Sequence, residues 1–188
     1  SLMESILDFQ FEVITTHLND GRLLPQRSAV NNAHAYLGAP YGIYATADGF
    51  LALAMGSVGR LGELLQSPKL AGYTDVKRYF TERDEIKAIL SRHLATQTTA
   101  YWLSILEPVD VWCSDVLTWH KLMEHEAFQV LDFTQEVTRR EGVTLRTTRC
   151  PIRIDGEIYK CPKGAPSLGQ HTGAILAEFL QCDQEVVK

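Results

Sequence analysis

The chain has 188 residues and a mild net charge of −5, from 23 acidic and 18 basic side chains. Hydrophobic residues make up 45% and charged residues 22%, the composition of an ordinary globular protein with a sizeable core. This negative net charge gives no reason to expect nucleic-acid binding, which requires a basic surface patch. No apolar run reaches the ~18 residues of a membrane span. These properties predict a cytoplasmic protein of one domain or one and a half, with no nucleic-acid or membrane partner.

The cysteines predict neither a metal site nor a disulfide framework. Cys113, Cys150, Cys161 and Cys182 are far apart and form no CxxC pair, whereas zinc ligands usually come in close pairs. In a cytosolic protein we expect them to be reduced and largely buried thiols. Cys113 is a candidate nucleophile, but the sequence places no charged activator beside it.

The first part of the chain reads as a helix followed by a linker. Apolar side chains recur at helical spacing over residues 1–14, and Asn19-Asp20-Gly21 is a typical helix end. No turn or capping group precedes the helix, which predicts that a longer protein has been cut at a strand-to-helix junction. Residues 22–38, with Asn31-Asn32 among them, have no periodicity, and connections of this length are usually functional or inter-domain.

A β-hairpin is predicted at residues 42–55. Asp48-Gly49 separates two runs of strand-forming residues, a strong hairpin signal. The second run, Phe50 to Met55, is apolar throughout and therefore predicts a strand covered on both faces.

Helices are predicted downstream of the hairpin. We expect one over 58–66 with Ser57 as N-cap, one capped near Thr81 that runs to Leu94, one over 98–106 capped by Thr98 or Thr99, and one over 118–128 with a capping threonine. His120 and His125 are five residues apart, so they do not share a helical face as metal ligands would. We interpret both as surface or partly buried histidines.

Strands are predicted in the last third of the chain. Alternating residues over 133–149 indicate two strands around a Glu141-Gly142 turn, and Asp155-Gly156 indicates another hairpin. The chain ends in a predicted helix over 173–180. The fold class is therefore α+β, with a small domain of three to four helices and a short antiparallel sheet.

Four motifs resemble class III CoA-transferases of the CaiB/BaiF type, a family that includes formyl-CoA and carnitine CoA-transferases and α-methylacyl-CoA racemases. The motifs are Pro40-Tyr41-x-x-Tyr44-x-Thr46-x-Asp48-Gly49, Tyr79-Phe80-Thr81-x-Arg83-Asp84, the segment 108–117, and Ala165-Pro166-x-Leu168-Gly169-x-His171-Thr172. The segment 108–117 departs from the family pattern. It keeps Cys113 and Val116 but carries Trp112, Ser114 and Asp115 in place of the usual residues.

The resemblance implies that the chain corresponds to the C-terminal half of the family's polypeptide. It implies a helix and inter-domain linker at 1–37, a small domain at 38–130, and a return segment with a C-terminal helix at 131–188. It also implies an interlocked homodimer. The apolar faces of the first and last helices would then be exposed unless they pair; they comprise Ile6, Phe9, Val13, Ile175, Leu176 and Phe179.

The implied chemistry is transfer of coenzyme A between carboxylic acids through an aspartyl-CoA thioester. The substrates would be an acyl-CoA and a carboxylic acid, with no cofactor besides the coenzyme A thioester that serves as substrate. The catalytic Asp would precede Ser1, so we assign no catalytic residue to this chain and expect it to be inactive alone. Alternatives are an acyl-CoA racemase of the same fold and a non-catalytic interaction module.

The resemblance also places five residues at the substrate: Tyr41, Met55, Gly56, Ser57 and His171. Tyr41 and residues 55–57 would form the wall of a compact apolar acyl pocket in a partner subunit. His171 would approach the bound coenzyme, although a role in capping the last helix is the competing interpretation. The sequence lacks the glycine-rich flap of formyl-CoA transferases, and it has Ser57 where racemases often carry an acidic residue.

Overall fold

The computed structural model describes residues 1–30, 34–139 and 142–180. Asn31 and Asn32 of the predicted linker, Glu141 of the predicted turn and Cys182 lie outside the described residues. The chain divides into two compact units, Ser1–Val116 and Leu117–Lys188. The predicted domain boundaries at 37/38 and 130/131 stay predictions. Within the described residues, no helix is long and apolar enough to cross a membrane.

Unit 1 contains seven helices and three strands in its described residues. They are α1 (Leu2–Phe9), α2 (Phe11–Asn19), β1 (Gly42–Ala45), β2 (Phe50–Leu53), α3 (Val58–Leu64), α4 (Pro68–Ala71), α5 (Arg78–Thr81), α6 (Arg83–Leu94), α7 (Thr99–Leu106) and β3 (Cys113–Asp115). Unit 2 contains α8 (Trp119–Glu124), α9 (Glu126–Leu131), β4 (Thr134–Thr138), β5 (Thr144–Thr148), β6 (Arg153–Ile154), β7 (Glu157–Ile158) and α10 (Thr172–Leu180). Helices packed with short antiparallel sheets confirm the predicted α+β class.

The predicted hairpin at residues 42–55 is present. Strand β1 pairs antiparallel with β2, and β3 adds to the other edge of β2, giving the sheet order β1-β2-β3. The turn is closed by the Thr46 hydroxyl, which accepts a hydrogen bond from the Gly49 amide at 3.0 Å. Asp48 accepts a hydrogen bond from the Thr99 amide at 2.8 Å, so the same turn also holds the start of α7.

The prediction that the second strand is covered on both faces was wrong. Leu51 and Leu53 are buried, but Phe50, which points to the opposite face, is 52% exposed. Side chains alternate between the two faces of a strand, and in the described part of unit 1 the core helices cover the face that carries Leu51 and Leu53. The apolar run Phe50 to Met55 therefore could not tell a strand buried on both faces from a strand with one face exposed.

The core of unit 1 is formed where the sheet meets α3, α6 and α7. Helix α6 contributes Ile86, Leu90 and Leu94, all fully buried, as the predicted helical spacing requires. Trp102 of α7 is also buried, and its indole N–H donates to the Leu94 carbonyl at 2.8 Å. That bond satisfies the polar atom of a buried tryptophan and ties α7 to the end of α6.

Helix caps were predicted with mixed success. Ser57, Thr98 and Thr118 each accept a hydrogen bond from the backbone amide three residues on, as expected for N-caps. Thr81 does not cap α6, because its hydroxyl donates to the Lys77 carbonyl instead. The helix expected over 118–128 is two helices, because His125 is extended and its Nδ1 accepts from the Ala127 amide as the cap of α9.

The predicted first helix is also divided in two, and it does have a cap. Ser1 and Glu4 form a reciprocal capping box at the start of α1, contrary to the expectation that no capping group is present. Gln10 then separates α1 from α2. Of the predicted apolar faces, Ile6, Phe9, Ile175 and Phe179 are exposed within their own units.

The linker is anchored to the start of α6 by two charged side chains. Arg83 donates to the carbonyl of Ala35 at 2.7 Å and to that of Gln26. Asp84 accepts from the Ala29 amide at 2.9 Å. Burial raises the pKa of Asp84, but hydrogen bonds from the linker outweigh it and lower the pKa overall. This pair therefore positions the linker against the core.

The described residues of unit 2 form two hairpins and three helices. Strands β4 and β5 pair with Val137 opposite Leu145, and β6 pairs with β7 around Asp155-Gly156, both as predicted. Arg149 is buried, and it donates to the carbonyls of Leu131, Asp132 and Cys150 at 2.7–2.8 Å. This arginine therefore provides hydrogen bonds to the carbonyls at the end of α9 and fixes that end to the segment directly after β5.

Candidate functional site

Two pockets of unit 1 meet at the segment that follows β2. Both are lined by Met55, Gly56 and Ser57. The first, called here the Arg60 pocket, has a volume of about 270 Å³ and is also lined by Leu53, Arg60 and Trp112. The second, called here the Tyr79 pocket, has a volume of about 710 Å³ and is also lined by Leu37, Tyr79 and Phe80. The segment 55–57 is thus the wall between two concave surfaces.

Local hydrogen bonds hold this wall in place. The Ala54 amide donates to the Trp112 carbonyl at 2.9 Å, which extends the pairing of the sheet beyond β2. The Ser57 hydroxyl accepts from the Arg60 amide at 3.2 Å as the cap of α3, and it lies 3.4 Å from the Tyr79 hydroxyl. The wall is therefore fixed at one end by the sheet and at the other by the start of a helix.

Gly56 keeps the wall thin. A Cβ atom built at this position would meet no atom within 4 Å, so the glycine borders open space. Met55, beside it, is 60% exposed in unit 1. An exposed methionine next to a glycine gives an apolar, adaptable surface of the kind that ligand pockets use.

Arg60 brings a positive charge to the smaller pocket. Its Nη2 donates to the Val109 carbonyl at 2.8 Å, which orients the guanidinium across the pocket. Buried Leu53 and Leu61 line the same pocket, together with Trp112, whose side chain is 69% exposed. The Arg60 pocket therefore combines an apolar lining with an oriented cation.

The Tyr79 pocket lies between the wall and the end of the linker. The Tyr79 hydroxyl donates to the Tyr73 carbonyl at 3.1 Å, and the Tyr79 carbonyl accepts from the Ala39 amide at 2.8 Å. Gly38 approaches the backbone of Tyr79 so closely that a Cβ would lie 2.8 Å from its carbonyl oxygen. A glycine is needed there for the linker to reach this pocket.

The predicted site residues are distributed unevenly. Met55, Gly56 and Ser57 lie together, whereas Tyr41 is half-buried and lines neither pocket. His171 is exposed in unit 2, one residue before α10. Sequence reasoning missed Arg60 and Trp112, although Arg60 is the one charged residue in the first turn of α3. Substrate binding by the five predicted residues stays a prediction.

The cysteines do not form a reactive centre in the described residues. Cys113 is half-buried beside Glu107, and burial, aided by that carboxylate, raises the pKa of its thiol, the opposite of activation. Cys150 and Cys161 are exposed, so the expectation of largely buried thiols was wrong for these two. They belong to the edges of the small hairpins of unit 2, which leave most side chains exposed. Among residues 1–30, 34–139 and 142–180, no three His, Cys, Asp or Glu side chains are grouped to hold a metal ion.

The chain has an α+β fold, and its first unit carries an apolar pocket with an oriented arginine beside a short antiparallel sheet. The sequence matches the profile of CoA-transferase family III over residues 1–172, and the chain belongs to that family.

Known relatives resemble the chain over nearly its whole length. It is 25% identical over 183 residues to a protein of Agrobacterium fabrum named succinate–glutarate CoA-transferase, covering 93% of this chain and 45% of that protein. A crystal structure of a mutant of Rv3272 from Mycobacterium tuberculosis matches 88% of this chain and 42% of its own, with a TM-score of 0.64 and 21% identity. A CaiB/BaiF family protein from Brucella suis matches 94% and 45%, with a TM-score of 0.62 and 23% identity. The chain therefore spans about 45% of the length of the curated relative.

Proposed function

We propose that this chain supplies the acyl-pocket wall of an enzyme that transfers coenzyme A between carboxylic acids. Membership of CoA-transferase family III supports the transferase class. The observation that carries the assignment of the pocket is the wall at Met55, Gly56 and Ser57, which lines both the Arg60 pocket and the Tyr79 pocket. The motif resemblance placed substrate at this segment independently of any pocket.

The proposed reaction is covalent catalysis through an aspartyl-CoA thioester. A carboxylate nucleophile divides one difficult exchange into two easier steps. We place that carboxylate in sequence preceding Ser1 and assign no catalytic residue to residues 1–188. The 45% share of the curated relative that this chain matches supports the division. The remainder of the enzyme, and a second copy of it in a homodimer, would complete the site.

In this proposal the chain shapes the acyl pocket and excludes water from the acyl group. An apolar wall that excludes water from the acyl group strengthens every polar interaction at the reacting carbonyl. Met55 adapts to the acyl chain, and Gly56 sets the width of the pocket. Tyr41 and His171 stay predicted contacts to the substrate, because neither lines the Arg60 pocket or the Tyr79 pocket.

The test uses the complete gene product. It is incubated with an acyl-CoA and a second carboxylic acid labelled with ¹³C, and the labelled acyl-CoA is measured by mass spectrometry. We expect labelled acyl-CoA to form, and hydroxylamine to intercept a protein-bound thioester. Gly56→Ala and Gly56→Leu should lower kcat/KM progressively, by about 10- to 100-fold for leucine, because a filled wall displaces the acyl group from its reactive position.

Gly72→Ala is the matched control, because its Cβ would meet its nearest neighbour at an ordinary 3.6 Å. Its kcat/KM should equal that of the unmodified enzyme. Epimerisation of a 2-methylacyl-CoA without any exchange of label would show a racemase instead. Full transfer activity in Gly56→Leu would contradict the assignment of the wall.

A further inference from the structure

The Arg60 pocket is small and mostly apolar, and the charged residues that line it are Arg60 and Asp110. Its volume is about 270 Å³. It lies just below the ~300–1,000 Å³ of pockets that take drug-sized ligands. A pocket of this size suits a short carbon chain and is too small for a nucleotide.

The Arg60 guanidinium has donors to spare. An arginine carries five N–H donors, and the bond from Nη2 to the Val109 carbonyl orients the group. Among the described residues, Arg60 makes no other hydrogen bond and no ion pair. The remaining donors form a fork whose natural partner is a carboxylate bound through both oxygens.

We infer that the Arg60 pocket receives the far carboxylate of a dicarboxylic acyl group, with the Arg60 guanidinium as its partner. This rests on the proposed function in taking the ligand to be the acyl part of a thioester. The carbon chain lies along Leu53, Met55 and Trp112, and the terminal carboxylate meets the guanidinium. A monocarboxylic acyl group of the same length would leave the oriented cation without an anionic partner, and sites built to bond a polar group reject analogues that lack it.

Asp110 provides a further test of the inference, because its negative charge would repel the carboxylate of the ligand. It lines the same pocket and forms no ion pair with Arg60 among the described residues. Its backbone is left-handed, with φ +61°, a conformation that asparagine also adopts readily. Asp110→Asn therefore removes the negative charge with little change in shape, and it should strengthen binding of a dicarboxylate.

The experiment measures binding of two small esters to the 188-residue chain by NMR. The chain has three tryptophans, so Trp112→Phe assigns the indole N–H signal of Trp112. Monomethyl adipate (the adipate probe) has a far carboxylate and an ester in place of the thioester, and methyl hexanoate (the hexanoate probe) has the same chain length and no carboxylate. We expect the adipate probe to shift the Trp112 signal saturably, with the hexanoate probe about tenfold weaker, in line with loss of a charge-assisted hydrogen bond.

Three variants test the partner. Arg60→Gln should lower the affinity for the adipate probe to that for the hexanoate probe. Asp110→Asn should raise the affinity for the adipate probe by about 2- to 5-fold. Arg92→Gln, on α6 outside this pocket, should leave both affinities unchanged. The inference is overturned if the two probes bind equally, if neither shifts the Trp112 signal, or if Arg60→Gln binds the adipate probe as before. Should Arg60→Gln not fold, an unchanged or weaker affinity of Asp110→Asn for the adipate probe would still overturn it. No coenzyme A is present, so failure here leaves the transfer assay as a separate test of the proposed function.

Discussion

Lys87 is the residue whose surroundings depart most from ordinary expectation. It lies on α6 among core positions and is fully buried. Its ammonium nitrogen finds no hydrogen-bond partner among the described residues. Burial, reinforced by nearby Arg83, lowers the pKa of the amine below its ordinary value, although Asp84 opposes the shift. A buried, unpartnered charge is costly, so this side chain should weaken the fold.

Lys87→Met should therefore stabilise the chain. Methionine is unbranched and fills a similar volume without an ammonium group, so we expect the free energy of unfolding to rise by about 1–2 kcal/mol at pH 7. Urea denaturation measures the change. Exposed Lys69→Met is the control and should stay within ~0.5 kcal/mol of the unmodified chain. A less stable Lys87→Met would show that the amine has a favourable partner.

The effect of pH follows from the sign of the shift. Because the pKa of Lys87 is lowered on folding, the unfolded chain binds more protons between that lowered pKa and about 10.4. The cost of Lys87 is therefore full below the lowered pKa and declines as the pH rises through this window. The stabilisation by Lys87→Met should shrink over the same range, and a constant difference would contradict the assignment.

At the scale of elements, α3 and α4 approach each other closely at Gly62. A Cβ at Gly62 of α3 would lie 2.2 Å from the Ala71 nitrogen and 2.4 Å from the Leu70 carbonyl carbon. Both are backbone atoms, so the clash cannot be relieved by rotating a side chain. Glycine is required at this position by the close approach of two helices.

Gly62→Ala should force the two helices apart. We expect a loss of about 1–3 kcal/mol in the free energy of unfolding, measured by urea denaturation. Gly72→Ala, at the end of α4, is the matched control because its Cβ has ordinary contacts. Equal stability of the two variants would mean that the α3–α4 packing is looser than the structure shows.

Features encoded locally were predictable from the sequence, and features that depend on distant residues were not. The Asp48-Gly49 turn and the caps Ser57 and Thr98 were found because each acts within three residues. The separation of α8 from α9 was missed because it depends on the His125 side chain acting as a cap rather than on apolar periodicity. The wall at 55–57 was located through motif resemblance alone. Arg60 was missed because the carbonyl that orients it belongs to Val109, far along the chain.

At the scale of the whole molecule, large apolar side chains are exposed in each unit taken by itself. Leu2 and Phe9 of α1 are 85% and 91% exposed, and Phe179 of α10 is 73% exposed. Exposed apolar surface of this extent is typical of interaction sites. It supports the proposal that the remainder of a transferase and a second copy cover these helices. The wall between the two pockets would then face substrate across that assembly.

Photochemical labelling of the complete gene product tests the position of the wall most directly. An acyl-CoA with a diazirine at the far end of its acyl chain is bound and irradiated, and labelled tryptic peptides are identified by mass spectrometry. We predict that the label falls at Met55, Gly56 or Ser57, in the peptide of residues 28–60, and that excess unlabelled acyl-CoA prevents it. Competable labelling confined to other parts of the protein, with none on residues 28–60, would contradict the account.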